Sequence, residues 1–196
     1  MFLKIQKNIN SDYNKALKYF SLDYLSTLKS KESIVSRFFI SKEVEKKYKI
    51  KKYLPKINSD WMPLFDNGIF WSISHKDDLV FVWANDEKIW VDIELYKERD
   101  LSLLTQFNDS EYDMLWWKNW INFYILWTAK ESIIKHNLLK LDDILNVKLI
   151  KIKDIEKVID GMIFIKELLF DYKTSQMQVF FWRKEDVFYS VCVNMW

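Results

Sequence analysis

The chain has 196 residues, 49% of them hydrophobic and 17% aromatic, enough apolar surface for a real core and too much for a disordered chain. Its 30 Lys and Arg stand against 28 Asp and Glu, a formal charge of +2 that permits an acidic partner without demanding one. One cysteine excludes an internal disulfide, and the near-balance of charge argues against a nucleic-acid-binding module. Nearly all the positive charge is lysine, with arginine only at Arg37, Arg99 and Arg183, which we read as compositional bias.

The first residues, Met1 to Lys7, lack the apolar run of a signal peptide, and no stretch is long enough to span a membrane. The reading is of a soluble cytoplasmic protein. Residues 12–30 place Tyr13, Leu17, Phe20, Tyr24 and Leu28 at helical spacing. A second amphipathic helix is expected from Glu32 to Lys49, with Ile34, Phe38 and Phe39 inward and Arg37 beside that stripe. Arg37 reads equally as a surface cation with a buried stem or as a phosphate contact.

Pro55, Pro63 and the Asp66-Asn67-Gly68 run mark a long loop ending in a turn. The turn leads into a strand from Ile69 to His75, then a hairpin of Leu79–Ala84 and Lys88–Glu94. Alternation along a strand points Asp92 and Glu94 to one face. Leu101, Leu103, Leu104 and Phe107 follow a polar segment, and Asn108 to Ser110 looks like a cap for a helix that starts with Glu111 and Tyr112 and continues through the tryptophans near Trp116 and Trp117, read as core. The segment Phe123 to Lys135 has no Gly or Pro, and its spacing stacks Trp127, Glu131 and Lys135 on one helical side. Taken alone that side is a solvated Glu–Lys pair worth a few tenths of a kcal/mol, ~0.2–0.5. Four strands are expected beyond it, at Val147–Ile152, Met162–Ile165, Met177–Trp182 and Val187–Val193, with Cys192 buried in the last. Helices followed by strands, twice, suggest an α+β chain of two similar α/β subdomains, divided at residues 1–90 and 91–196.

Four carboxylates stand out: Asp92, Glu94, Glu111 and Glu131. A fold that gathers several must protonate one, pair them with cations or bind a metal, and all-oxygen ligands favour a hard cation. Arg37, His75, Lys130 and Lys135 are available as phosphate partners. Carboxylates for a metal and cations for phosphates together suggest phosphoryl-group chemistry.

The ordered strings Ser72-Ile-Ser74-His75, Val91-Asp92-Ile-Glu94, Phe107-Asn-Asp-Ser-Glu111-Tyr112 and Trp127-Thr-Ala-Lys130-Glu131-Ser-Ile-Ile-Lys135 resemble the motifs of 4′-phosphopantetheinyl transferases of the longer, surfactin-synthetase-activating type. The resemblance runs from about Ile34 to the final hairpin. It implies a pseudo-twofold monomer that moves phosphopantetheine from coenzyme A to a serine of an apo acyl or peptidyl carrier protein, with no membrane or nucleic-acid partner. It implies Mg²⁺ on Asp92, Glu94 and Glu131. It implies coenzyme A phosphates on Arg37, Ser74, His75, Lys130 and Lys135, with Lys135 also part of the catalytic set. Glu111 matches the carboxylate proposed as general base for the incoming serine. Trp90 stands where the family has glycine, Trp61-Met62-Pro63 replaces a Gly-Lys-Pro signature, and Lys29 or Lys31 is offered for nucleotide-holding lysines. In the resemblance, the segment after Glu94 faces the acidic helix of the carrier, so Leu101, Leu103, Leu104 and Phe107 beside Lys97 and Arg99 are expected as an apolar patch with a basic rim. Two alternatives stay open: a family member with altered catalysis that only binds coenzyme A or carrier, and the nucleic-acid-binding module.

Overall fold

A computed structural model describes residues 2–6, 10–58, 63–137, 140–159, 162–173 and 175–194. The mixed α and β chain divides into two compact units, Met1–Lys88 and Ile89–Trp196. The break falls just before the strand that bears Asp92 and Glu94, so both carboxylates belong wholly to the second unit.

The first unit opens with a strand the sequence reading did not anticipate, β1 (Phe2–Gln6). Helices α1 (Asn10–Tyr19) and α2 (Leu22–Ser26) replace the single expected helix. The break has a local cause: the Ser21 hydroxyl accepts from the Tyr24 N–H and restarts the helix as a cap. Helix α3 (Lys31–Tyr48) is capped in the same way by Ser30, whose hydroxyl takes the Ser33 N–H at 3.1 Å. Two-residue strands β2 (Lys56–Ile57) and β3 (Pro63–Leu64) pair with each other. After them Asn67 and Gly68 both take positive φ, 55° and 69°, and the Ile69 N–H closes on the Asp66 carbonyl at 3.0 Å. That is the Asn-Gly turn that favours hairpins. It delivers β4 (Phe70–Lys76), which pairs with β5 (Leu79–Asn85); β5 pairs in turn with β1, giving an antiparallel sheet in the order β1-β5-β4. Val35, Phe39, Ile40, Trp71, Val80 and Val82 form the core between α3 and that sheet. Trp61 and Met62 lie outside the described residues.

The second unit begins with β6 (Ile89–Leu95). A 3₁₀ turn (Leu101–Gln106) and α4 (Asp109–Met114) lead to α5 (Trp120–Asn137). Asn119 caps α5, its Oδ1 accepting from the Asn122 N–H at 2.9 Å. Most of α5 is buried, in keeping with a helix that is apolar on more than one side. It lies on a five-stranded antiparallel sheet in the order β6-β10-β9-β8-β7, made by β7 (Lys148–Ile159), β8 (Met162–Tyr172), β9 (Ser175–Lys184) and β10 (Val187–Asn194). β7 and β8 are longer than expected because their outer positions are charged, which hides the strand pattern; two register shifts, at Leu149/Lys151 and Asp154/Lys157, bend the pair.

The stretch between α4 and α5 corrects the sequence reading. The expected Trp-rich helix stops at Met114, and Trp116 and Trp117 are 84% and 74% exposed rather than core. Trp116 has φ 78°, a conformation costly for a bulky side chain. Asn122 holds the turn: its buried amide donates to the Leu115 carbonyl at 2.9 Å and the Trp117 carbonyl at 2.7 Å. Positive φ also falls on Lys49, Lys52, Asp77, Lys173 and Glu185. The apolar patch expected after Glu94 is divided as well: Leu104 and Phe107 are buried, whereas Leu101 is 70% exposed. Asn122→Ala removes both amide donors and leaves two carbonyls to be satisfied elsewhere; urea unfolding is expected to show a loss of ~2 kcal/mol or more.

Candidate metal centre

Strand alternation and helical spacing together build the cluster. Asp92 and Glu94 occupy the face of β6 that meets α5, and Glu131 comes from the helix. Each carboxylate offers an oxygen within 4.8 Å of the others. Asp92 and Glu94 are buried, and the Glu131 side chain is 20% exposed. The Lys135 ammonium bonds Asp92 Oδ1 and stands 3.7 Å from Glu131 Oε2, one turn along the helix from it. On the neighbouring strand, Ser190 pairs directly with Asp92, and its hydroxyl donates to the Thr128 carbonyl of α5 at 2.8 Å. This clasp ties helix to sheet beside the cluster. The only trace of it in the sequence is a hydroxyl in an otherwise apolar strand.

Burial and the nearby Asp92 push the Glu131 carboxyl up to about 8, with Glu94 adding to the rise and Lys135 opposing it. Burial pulls the Lys135 ammonium down, but Asp92 and Glu131 outweigh it and leave its pKa raised. The donor set fits a hard divalent cation: three carboxylates, no sulfur or imidazole, with one edge toward solvent. Trp90 is buried on the same face of β6, two residues before Asp92 and opposite Cys192 of β10. A glycine there would leave this space open.

Glu111 and Lys130, expected as general base and phosphate contact, are bonded to each other. Lys130 Nζ is 2.8 Å from Glu111 Oε1 and 2.9 Å from Oε2, with both side chains at most 3% exposed. Glu111 also accepts the Leu149 N–H at 2.8 Å and the Asn108 N–H at 3.4 Å. Burial lowers the Lys130 pKa and Glu111 counters it. The carboxylate oxygens are taken up by these donors, and the Lys130 ammonium directs two of its three N–H bonds to them inside the fold.

The remaining predicted residues lie in the first unit. Arg37 is buried in α3, its Nη1 donating to the Ser33 hydroxyl and, at 3.2 Å, to the Ser33 carbonyl; its guanidinium stands 5.9 Å over the Trp71 ring. Desolvation lowers its pKa, and Tyr24 opposes that. Ser74 is buried and His75 exposed, both on β4. Glu32, in the first turn of α3, is held below the usual carboxylate range by its own backbone N–H and the Ser30 hydroxyl, with a smaller contribution from His75. Lys31 stands 5.1 Å over the Tyr13 ring.

No protein-family model matches the chain. Over 78 residues it is 36% identical to a 4′-phosphopantetheinyl transferase of Aneurinibacillus migulanus, an alignment that covers 37% of this chain and 33% of that protein. The similar part thus spans about a third of the relative's length. Among the described residues no helix is long and apolar enough to cross a membrane.

The raised Glu131 carboxyl sets the pH behaviour of the metal-free protein. Its folded pKa lies above the ordinary 4.5, so the stability it contributes is complete below about 4.5 and is lost as pH rises through about 8. A divalent cation held by these carboxylates would displace that proton. Thermal unfolding with and without Mg²⁺ is therefore expected to show a cation-induced rise in Tm that is larger at pH 8 than at pH 6 and absent in Asp92→Asn.

Proposed function

We propose that this chain transfers the 4′-phosphopantetheine group of coenzyme A to a serine hydroxyl of an apo acyl or peptidyl carrier protein, releasing adenosine 3′,5′-bisphosphate. The observation that carries this reading is the convergence of Asp92, Glu94 and Glu131, three residues from two of the resembling motifs, with Lys135 beside them. The partial similarity to a phosphopantetheinyl transferase supports the same reaction class.

Asp92, Glu94 and Glu131 would hold Mg²⁺. When bound, the ion neutralises the pyrophosphate and stabilises charge on the leaving phosphate oxygen. The serine oxygen forms a bond to the phosphorus that carries pantetheine, and the bond from that phosphorus to the bridging oxygen breaks. The electron pair leaves with adenosine 3′,5′-bisphosphate, and the serine proton passes to a water in the site. Lys135 keeps positive charge beside the carboxylates and offers its ammonium to the phosphates. The resemblance offers Arg37, Ser74 and His75, on one helix and one strand of the first unit, as further donors for coenzyme A phosphates. Glu111, the base that the resemblance suggests, would have to leave Lys130 to act, and the geometry favours the role developed below.

The carrier would meet the exposed Leu101 with Lys97 and Arg99 beside it, a smaller patch than the four apolar residues expected from the sequence. A basic rim suits an acidic carrier surface and acts mainly on the rate of encounter. The chain would act as a monomer in the cytoplasm, with no nucleic acid required.

The test is mass spectrometry of apo acyl and peptidyl carrier proteins incubated with the protein, coenzyme A and Mg²⁺. A phosphopantetheine mass shift on the carrier serine is expected, and its rate should fall by about 10² or more in Asp92→Asn and in Glu131→Gln. Wild-type rates in both variants would contradict the metal role, and the absence of a shift on every carrier, with coenzyme A still bound, would leave a binding protein instead.

A further inference from the structure

We infer that Glu111 and Lys130 form a buried lock that sets the rotation of α5 and so delivers Glu131 to Asp92 and Glu94; both are positioning residues rather than catalytic ones. The inference rests on the metal-site reading above and assigns this pair a different task within it.

Glu111 sits in α4, accepts one N–H from the residue before that helix, another from Leu149 at the start of β7, and two contacts from Lys130 of α5. One carboxylate therefore joins three elements. The Lys130 ammonium lies 4.4 Å over the Phe107 ring, which closes the remaining side. Glu111 is 2% and Lys130 1% exposed, so neither charge is screened by water. Apolar residues of similar volume would fill such a place at no cost in stability and often with a gain. Ionic pairing has the property they lack: it is directional and leaves one arrangement of the helix strongly preferred.

The consequence for the cluster follows from helical geometry. Lys130 and Glu131 are adjacent in α5, so their side chains leave the axis about 100° apart. Fixing the direction of one fixes the direction of the other. Lys130 is drawn toward α4 and β7, and Glu131 is thereby turned toward β6. The Ser190 hydroxyl on the Thr128 carbonyl secures the same stretch of helix from the sheet side. Supporting partners of this kind ordinarily change metal affinity or activity about 10–100-fold when removed.

The decisive experiment compares Glu111→Gln, Lys130→Met and the double variant. Two readouts are followed: Mn²⁺ binding by electron paramagnetic resonance, and amide hydrogen exchange of residues 129–133 in metal-free protein. Each single variant leaves one buried charge without its partner; the double variant leaves none. The expected result is a roughly ten-fold loss of Mn²⁺ affinity in each single variant and faster exchange over 129–133. Neither readout should recover in the double variant, which leaves no unpaired charge but has lost the directional pair, while the carrier modification that remains keeps the wild-type pH profile. If the singles fail to fold, Glu111→Asp, which keeps the charge and shortens the reach, is compared with the double variant in the same way. The inference is overturned if exchange and Mn²⁺ affinity are unchanged in the single variants. It is equally overturned if the double variant returns to wild-type exchange and Mn²⁺ affinity, since an unpaired charge and not the lost pair would then explain the single variants. Wild-type protein that binds no Mn²⁺ would instead refute the metal site, while the exchange data still decide whether the pair orients the helix.

Discussion

Repulsion among three close carboxylates is the constraint around which the second unit is arranged. Two unit negative charges 4 Å apart cost about 4 kcal/mol at an effective dielectric of 20, and burial removes the water that would soften it. Asp92, Glu94 and Glu131 are nevertheless held within 4.8 Å. Three compensations are in reach: a proton on Glu131, the Lys135 ammonium, and a divalent cation. The first two are present in the protein alone, and the third is the occupant proposed above. An arrangement that stores repulsion and balances it with mobile charge is what distinguishes a binding site from a stretch of acidic surface.

The scaffold supplies the force that opposes this repulsion. β6 is the edge of its sheet, bonded on one side to β10, and α5 lies across β6, β10 and β9. Apolar packing holds helix against sheet through Leu126, Ala129 and Ile133 of α5, all of them buried completely. The polar clasps, Ser190 to Thr128 and Glu111 to Lys130, add little net energy but restrict how the helix is turned. Packing supplies the stability, and the hydrogen bonds and ion pair select one orientation.

Much of this was legible in the chain, and the limits have physical causes. Alternation placed Asp92 and Glu94 on one face of a strand, and four-residue spacing aligned Glu131 with Lys135; both are local rules, and both hold. The strand positions were readable wherever one face was apolar, and the ends of β7 and β8 were not, because charged residues occupy their outer positions. Trp116 and Trp117 misled by composition: indoles are usually buried, but the helix ends before them and Asn122 fastens the turn that presents them. The partnership of Glu111 and Lys130 was beyond local rules. Nineteen residues separate the two side chains, and only the tertiary path of the chain shows that each is the other's counterion. Arg37 was read as a surface cation with a buried stem or as a phosphate contact; the whole side chain is buried, its guanidinium over Trp71 and bonded to Ser33, which only the packing of the first unit reveals.

The scarcity of glycine has its own consequence for how this protein can change. Among the described residues, left-handed backbone falls on lysines, acids, an asparagine and a tryptophan, as well as on Gly68. A Cβ in that conformation costs about 1–2 kcal/mol, less for asparagine and aspartate, and the added freedom of glycine in the unfolded chain takes back part of any relief. Asn67 and Asp77 therefore stand near their optimum already, while Trp116 places the bulkiest of these side chains in that conformation. These corners are separate in sequence from the three carboxylates, so heat tolerance and chemistry are free to evolve on different residues.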